Sequence, residues 1–241
     1  MIDPTPLWNF DDPVASEERF REAAEGAAGA DRLVLLTQVA RALGLQDRFA
    51  EGHATLDGLT TDAPEVEIRI ALERGRLFRS AGEPGQARPC FEAAVAQARS
   101  TGADALLVDG LHMVSLVSAP DEQAGLLDEA LDVARSSADP AARRWEASLL
   151  NNLGMTHADA GEWPTALAVF EQALAARRVA GSAGEVRIAR WMVAWALRNL
   201  GRTGEALAIQ RALKVELVTA GEFDLYVDEE LDLLAPTGPP S

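Results

Sequence analysis

Helix-breaking residues punctuate this chain at nearly regular intervals, and that spacing limits what it can fold into. Gly26 to Gly29, Gly44, Gly58 to Pro64, Ala81 to Pro84, Thr101 to Gly102, Ala119 to Pro120, Asp139 to Pro140, Gly161, Gly181 to Gly184, Gly201 to Gly204 and Gly221 cut it into short stretches. Each stretch is about 12–20 residues, the usual length of a globular helix. Inside them apolar residues recur every three or four positions, the spacing of one helix face. Alanine is frequent, aromatic residues are only 5% of the chain and β-branched runs are short, all of which favours helix over strand. The expectation is an all-α fold of about twelve helices. Asp12-Pro13 and Asp139-Pro140 read as a capping acid followed by a proline at the first helical position. Gly161 and Gly221 suit the residue that closes a helix C-terminus.

Many short helices joined by tight turns call for a test of internal repetition. Residues 149–178 carry Leu150-x-x-Leu153-Gly154-x-x-His157, then Ala166-x-x-x-Phe170-x-x-Ala173. Residues 68–99 repeat the pattern with Gly75, Phe78, Ala87, Phe91 and Ala94. Residues 187–218 give Ala194, Leu197 and Ala206, with Gln210 where an aromatic is expected. Residues 33–60 match more loosely through Ala40, Gly52, Leu56 and Leu59. In residues 104–135, Leu111 and Gln123 stand at the small positions, while Leu127 and Ala130 fit. The markers Gly52, Ala87, Gln123, Ala166 and Ala206 are 35, 36, 43 and 40 residues apart.

This pattern resembles the tetratricopeptide repeat, over about residues 30–220. The resemblance implies a right-handed superhelical solenoid of antiparallel helix pairs, in which small residues let two helices cross closely. The expected organisation is an N-terminal extension over 1–12, a capping helix over 13–29, repeats over 30–220, an acidic capping helix over 221–234 and a disordered tail over 235–241. Such caps keep the end units of a repeat array from exposing their apolar faces.

Charge narrows the partners. The chain has 38 acidic and 22 basic residues, a net charge of −16. Residues 1–30 are net −5, residues 221–241 net −6, and the long middle only −5. An acidic chain is a poor match for nucleic acid, whose phosphates need a basic face. No apolar run approaches the roughly 20 residues of a membrane span, and the N-terminus lacks the pattern of a signal peptide. With Cys90 alone no internal disulfide is possible, and a reducing, cytoplasmic location is expected. There is no phosphate-binding glycine loop, no H-E-x-x-H and no paired C-x-x-C, so no cofactor or metal is expected. Cys90, beside Phe91, reads as a small buried apolar residue.

The resemblance implies that the first helix of each pair lines a concave groove. In register with Gly154, the inward-facing residues are Gln38 and Arg41; Arg69, Glu73 and Arg76; Asp109 and His112; Asn151 and Asn152; and Trp191, Trp195 and Arg198. Arg69, Glu73 and Arg76 fall on one helical stripe. Arginine suits carboxylate recognition, and asparagine can pair with an extended backbone as donor and acceptor. Asn152 falls where peptide-binding members of the family carry such an asparagine; the lysines of their carboxylate clamp are missing. The reading that follows is a non-enzymatic module binding a protein or peptide, with an acidic or C-terminal segment favoured. A small-molecule sensor or unusual enzyme using the same face is one alternative, and a self-associating scaffold, for instance a homodimer, is another. The same residues also admit plainer roles: Arg69 could pair with Glu73 on its own helix, and the two tryptophans could fill core.

Overall fold

The computed structural model describes residues 1–235, so all of the expected disordered tail except Ala235 lies outside the described residues. Every regular element among them is helical. A 3-10 turn, Thr5–Leu7, precedes α1 (Pro13–Glu25), α2 (Gly29–Gly44), α3 (Phe49–Asp57), α4 (Pro64–Ser80), α5 (Pro84–Thr101), α6 (Asp104–Ser115), α7 (Pro120–Ser136) and the single turn α8 (Pro140–Arg143). These belong to one compact unit, Met1–Arg143. The second begins at Arg144 and holds α9 (Glu146–Asp159), α10 (Trp163–Ala180), α11 (Ala183–Asn199), α12 (Thr203–Ala220) and α13 (Leu225–Leu234). Helices pair with their sequence neighbours: α2 with α3, α4 with α5 and α6 with α7 in the first unit, α9 with α10 and α11 with α12 in the second.

The caps form as the sequence predicts. The Asp12 carboxylate accepts the Ala15 N–H at 3.0 Å, and that of Asp139 accepts the Ala141 N–H at 2.8 Å. A shared turn closes the first helix of four pairs. Asp47, Gly82, Gly161 and Gly201 all have positive φ, between 59° and 79°. The next residue's N–H then reaches back to a carbonyl five positions earlier: Arg48 to Leu43, Glu83 to Phe78, Glu162 to His157 and Arg202 to Leu197, at 2.8–3.0 Å. This is the Schellman closure, which satisfies carbonyls the helix end leaves open. Asp47 stands in for glycine because short polar side chains tolerate the left-handed region best.

The small residues do what the spacing implies. Gly75 faces the buried ring of Phe91, and Gly154 that of Phe170; a Cβ on either would lie 2.4–2.5 Å from a ring atom. In the first pair, Leu77 of α4 packs into the space left by Gly44 and Gly52. The third pair departs from the expected register. Its close-approach residue is Gly110, where a Cβ would lie 2.8 Å from Val95 of α5, while Leu111 is a buried core residue. Glycine there admits the preceding pair, not α7.

The fifth pair departs in another way. Gln210 occupies the ring position and is fully buried, yet both polar atoms of its amide lack a hydrogen-bond partner among the described residues. A buried amide without partners costs roughly 1–3 kcal/mol. Methionine has similar length and volume and carries no such penalty. Gln210→Met should therefore raise the stability to urea unfolding by about 1–2 kcal/mol; a fall would show that the amide has partners in solution.

Candidate functional site

In the first unit, the stripe on α4 meets α2 on one side and α6 on the other. Arg76 donates to Glu73 at 2.7 Å and, across to α6, to both oxygens of Asp109 at 2.5 and 2.6 Å. All three side chains are largely buried. Burial works against the Arg76 charge, but Asp109 and Glu73 outweigh it and raise its pKa. Burial likewise acts to raise Asp109, and Arg76, helped by Arg41 and His112, overcomes it and lowers the pKa. His112 is lowered, first by burial and then by Arg76 and Arg79 against the pull of Asp109. Arg69 pairs with Glu65 at 3.0 Å, not with Glu73. Two buried atoms of this stripe, Nε of Arg69 and Oε2 of Glu73, have no hydrogen-bond partner among the described residues.

Arg41 is placed differently. Its guanidinium lies 5.4 Å from the Trp8 ring and 5.5 Å from that of Phe10, rings that stack at 4.7 Å. Trp8 also donates its indole N–H to Gln38 at 3.0 Å. The N-terminal segment therefore covers the inward positions of α2, an arrangement that the sequence spacing did not reveal. Burial, then Arg76, lowers the Arg41 pKa, while Glu73 and Asp109 act the other way.

In the second unit, Asn151 and Asn152 on α9 line a cavity of about 230 Å³ with Ser148, Ala173, Arg177, Glu185 and Ile188. Arg177 spans it, donating to Glu185 at 2.5 Å and to Ser148 at 2.9 Å. Glu185 also accepts from the Ser182 N–H, so the start of α11 fixes one wall. The Asn151 side-chain amide makes no hydrogen bond to another described residue. A second cavity, about 570 Å³, shares Ile188 and runs along Trp191 and Met192 to Leu213, Leu217, Phe223, Asp224 and Tyr226. Trp191 donates its indole N–H to the Tyr226 carbonyl at 3.2 Å and stacks on Trp195 at 6.1 Å. Trp195 turns inward, edge-on to Trp163 and near Phe170, against the core of α10 and α11. Arg198 is engaged by α13: its guanidinium makes two 2.8 Å bonds to the buried Glu230.

The residues singled out by sequence thus fall into two sets, one in each unit. Arg76 and Arg198 carry internal bidentate ion pairs. Asn151, Asn152 and Trp191 line cavities together with Arg177, Glu185, Phe223 and Tyr226, which the sequence reading passed over. The signal for the last two was the run Glu222-Phe-Asp-Leu-Tyr226 just after a helix-closing glycine, where aromatic residues are out of place in an acidic cap. Cys90 is half-buried on α5, and burial raises its thiol pKa.

Residues 145–213 match the tetratricopeptide repeat family, a span that takes in α9, α10, α11 and part of α12. No curated protein matches the chain in sequence. Among solved structures, the apo form of RapI is similar with a TM-score of 0.74 and 12% identity, over 95% of this chain and 68% of that one. The apo form of the quorum sensor NprR from B. thuringiensis follows at 0.63 and 13%, over 93% of this chain and 64% of that one. The TPR-like repeats of a putative kinesin light chain from Podosopora anserina give 0.63 and 16%, over 80% of this chain and 99% of that one. At these identities the likeness is one of fold. Among the described residues no helix is long and apolar enough to cross a membrane.

Proposed function

Given that the chain is a tetratricopeptide-repeat protein, we propose that it binds an extended segment of a partner protein or peptide along the first helices of its pairs. The observation that carries this reading is the trough in the second unit, where the two asparagines and the tryptophan cavity meet at Ile188. An extended backbone offers an N–H and a carbonyl at each residue, and the Asn151 amide can answer both. The neighbouring cavity accepts a side chain, and Ile188, exposed on the rim, gives the segment an apolar floor. Solved NprR is known in complex with its cognate peptide NprX, which supports a peptide as the class of ligand.

The test is an array of random-sequence dodecapeptides probed with the full chain and with Asn151→Ala. Asn151 makes no internal hydrogen bond, so the variant should melt like the parent. Peptides retained by the parent should bind the variant about tenfold more weakly, the loss expected for a pair of hydrogen bonds. Equal retention by both proteins, or retention of no peptide by either, would remove this reading.

A further inference from the structure

The cavity beside Trp191 has a more specific chemistry than an apolar hole. Its mouth carries three side chains that a soluble protein rarely leaves in water: Phe223, Leu225 and Tyr226 are 72%, 55% and 66% exposed. Exposed apolar residues gathered at one place mark an interaction surface. Trp191 and Tyr226 stand edge to face, with ring centroids 6.1 Å apart and planes at 70°. The exposed Tyr226 ring thus forms an aromatic wall at the mouth beside Trp191, and an aromatic face attracts a cation. One ring already holds a cation: the Lys214 ammonium lies 5.3 Å from the Phe223 centroid.

The charges agree. Two basic residues stand at this site, Arg187 and Lys214, and each is cancelled, Arg187 by Glu222 and Lys214 by Asp228. Asp224 lines the cavity, and one of its oxygens accepts the Tyr226 N–H at 3.0 Å. That bond keeps the carboxylate in place without neutralising it. Residues 221–235 contain six acids and no base, so the surrounding field repels an anion and attracts a cation. Deeper in, Met192, Leu213, Leu217 and Val227 offer only apolar surface, which suits the methylene stem of a long basic side chain.

We propose that this cavity receives the arginine or lysine side chain of a basic, apolar peptide segment, its stem against the leucines and its charge between the aromatic rings and Asp224. The proposal rests on the peptide reading of the trough and adds the side chain that the trough selects. It departs from the acidic segment that sequence alone suggests, because Arg198, the arginine behind that expectation in this unit, is held by Glu230, while three of the six acids, Asp224, Glu229 and Asp232, form no ion pair with another described residue.

The test uses the full chain and three labelled heptapeptides, Ala-Ala-Leu-Xaa-Leu-Ala-Ala, with Xaa arginine, norleucine or glutamate, followed by fluorescence anisotropy. The arginine peptide should bind about tenfold more tightly than the norleucine peptide, and the glutamate peptide more weakly than both. Asp224→Asn keeps an acceptor for the Tyr226 N–H but removes the charge; Phe223→Ala removes a ring. Asp224→Asn should bring the arginine peptide down towards the norleucine peptide, and Phe223→Ala should weaken the arginine peptide by a larger factor than the norleucine peptide; equal factors in both variants would overturn the cation site. Asn151→Ala should weaken all three peptides by one common factor. If the peptides bind and respond to Asn151→Ala but show no preference for arginine, the cation site is overturned and the trough stands. If none of them binds the parent chain, both are overturned.

Discussion

Gly154→Ala should destabilise the protein by about 2 kcal/mol, while Gly125→Ala should stabilise it by about 0.5–1 kcal/mol. Both glycines lie inside helices, and in both an alanine gains helix propensity and lowers the entropy of the unfolded chain. The sign is decided by what the new methyl group meets. At Gly154 it would lie 2.5 Å and 2.6 Å from two atoms of the Phe170 ring. That ring is fully buried among Ala166, Leu174 and Val193, so it has no free direction in which to yield. Overpacking of a closed core commonly costs roughly 1–3 kcal/mol and at times more, which exceeds the helix gain of about 1 kcal/mol. Gly125, on the exposed face of α7, has nothing within 4 Å of the position a Cβ would take. For a chain of this size the two changes correspond to a Tm roughly 4–8 °C lower and 1–4 °C higher. Thermal melts of the two single variants decide the matter. A raised Tm for Gly154→Ala would mean that α9 and α10 are not in the close contact that defines the repeat.

The close-approach glycines show how far the sequence could be read. Gly75 and Gly154 were identifiable because a helix pair needs a small residue opposite a large one at a fixed spacing, a purely local rule. Turn closure was legible for a similar reason, since the left-handed position admits few residues other than glycine. Gly110 was not, because its partner Val95 belongs to the preceding pair, and spacing within one repeat carries no information about that contact. From sequence the N-terminal segment reads only as an extension. Its docking depends on Trp8 reaching Gln38, thirty residues away, and nothing periodic announces such a contact.

For the site, helix geometry places Arg69, Glu73 and Arg76 on one stripe of α4. What each arginine pairs with was out of reach. Arg69 had acids at four residues on either side, Glu65 and Glu73, and local spacing cannot choose between them. Arg76 took Glu73 together with Asp109, 33 residues on. Arg198 was claimed by Glu230 of the closing helix, whose acids looked from sequence like a solvated cap. In each case the partner comes from a neighbouring element, which is where single-helix periodicity stops being informative.

The largest effect is expected at Arg76. Arg76→Met keeps much of the side chain's volume but leaves the buried carboxylates of Glu73 and Asp109 facing each other without their counter-ion. Breaking a buried ion pair from one side costs roughly 3–5 kcal/mol, enough to unfold much of a marginally stable domain at neutral pH. The pH dependence gives the mechanism a separate signature. In the parent protein the Asp109 pKa is depressed below its ordinary 3.8. Its contribution to stability is therefore fully present above that value and is lost as pH falls through the lower, folded-state value. Without Arg76, burial is left as the leading influence on Asp109 and pushes its pKa above the ordinary value. The variant then favours the protonated acid, so its stability is greatest at low pH and drops as pH rises through the raised value. Urea unfolding measured from pH 7 down to pH 4 should show the deficit of Arg76→Met shrinking with acidification. Adding Asp109→Asn removes one unpaired buried charge and should recover part of the loss at pH 7. A deficit that stays constant with pH, or a double variant weaker than the single one, would mean that the three residues do not form the buried network that joins α4 to α6.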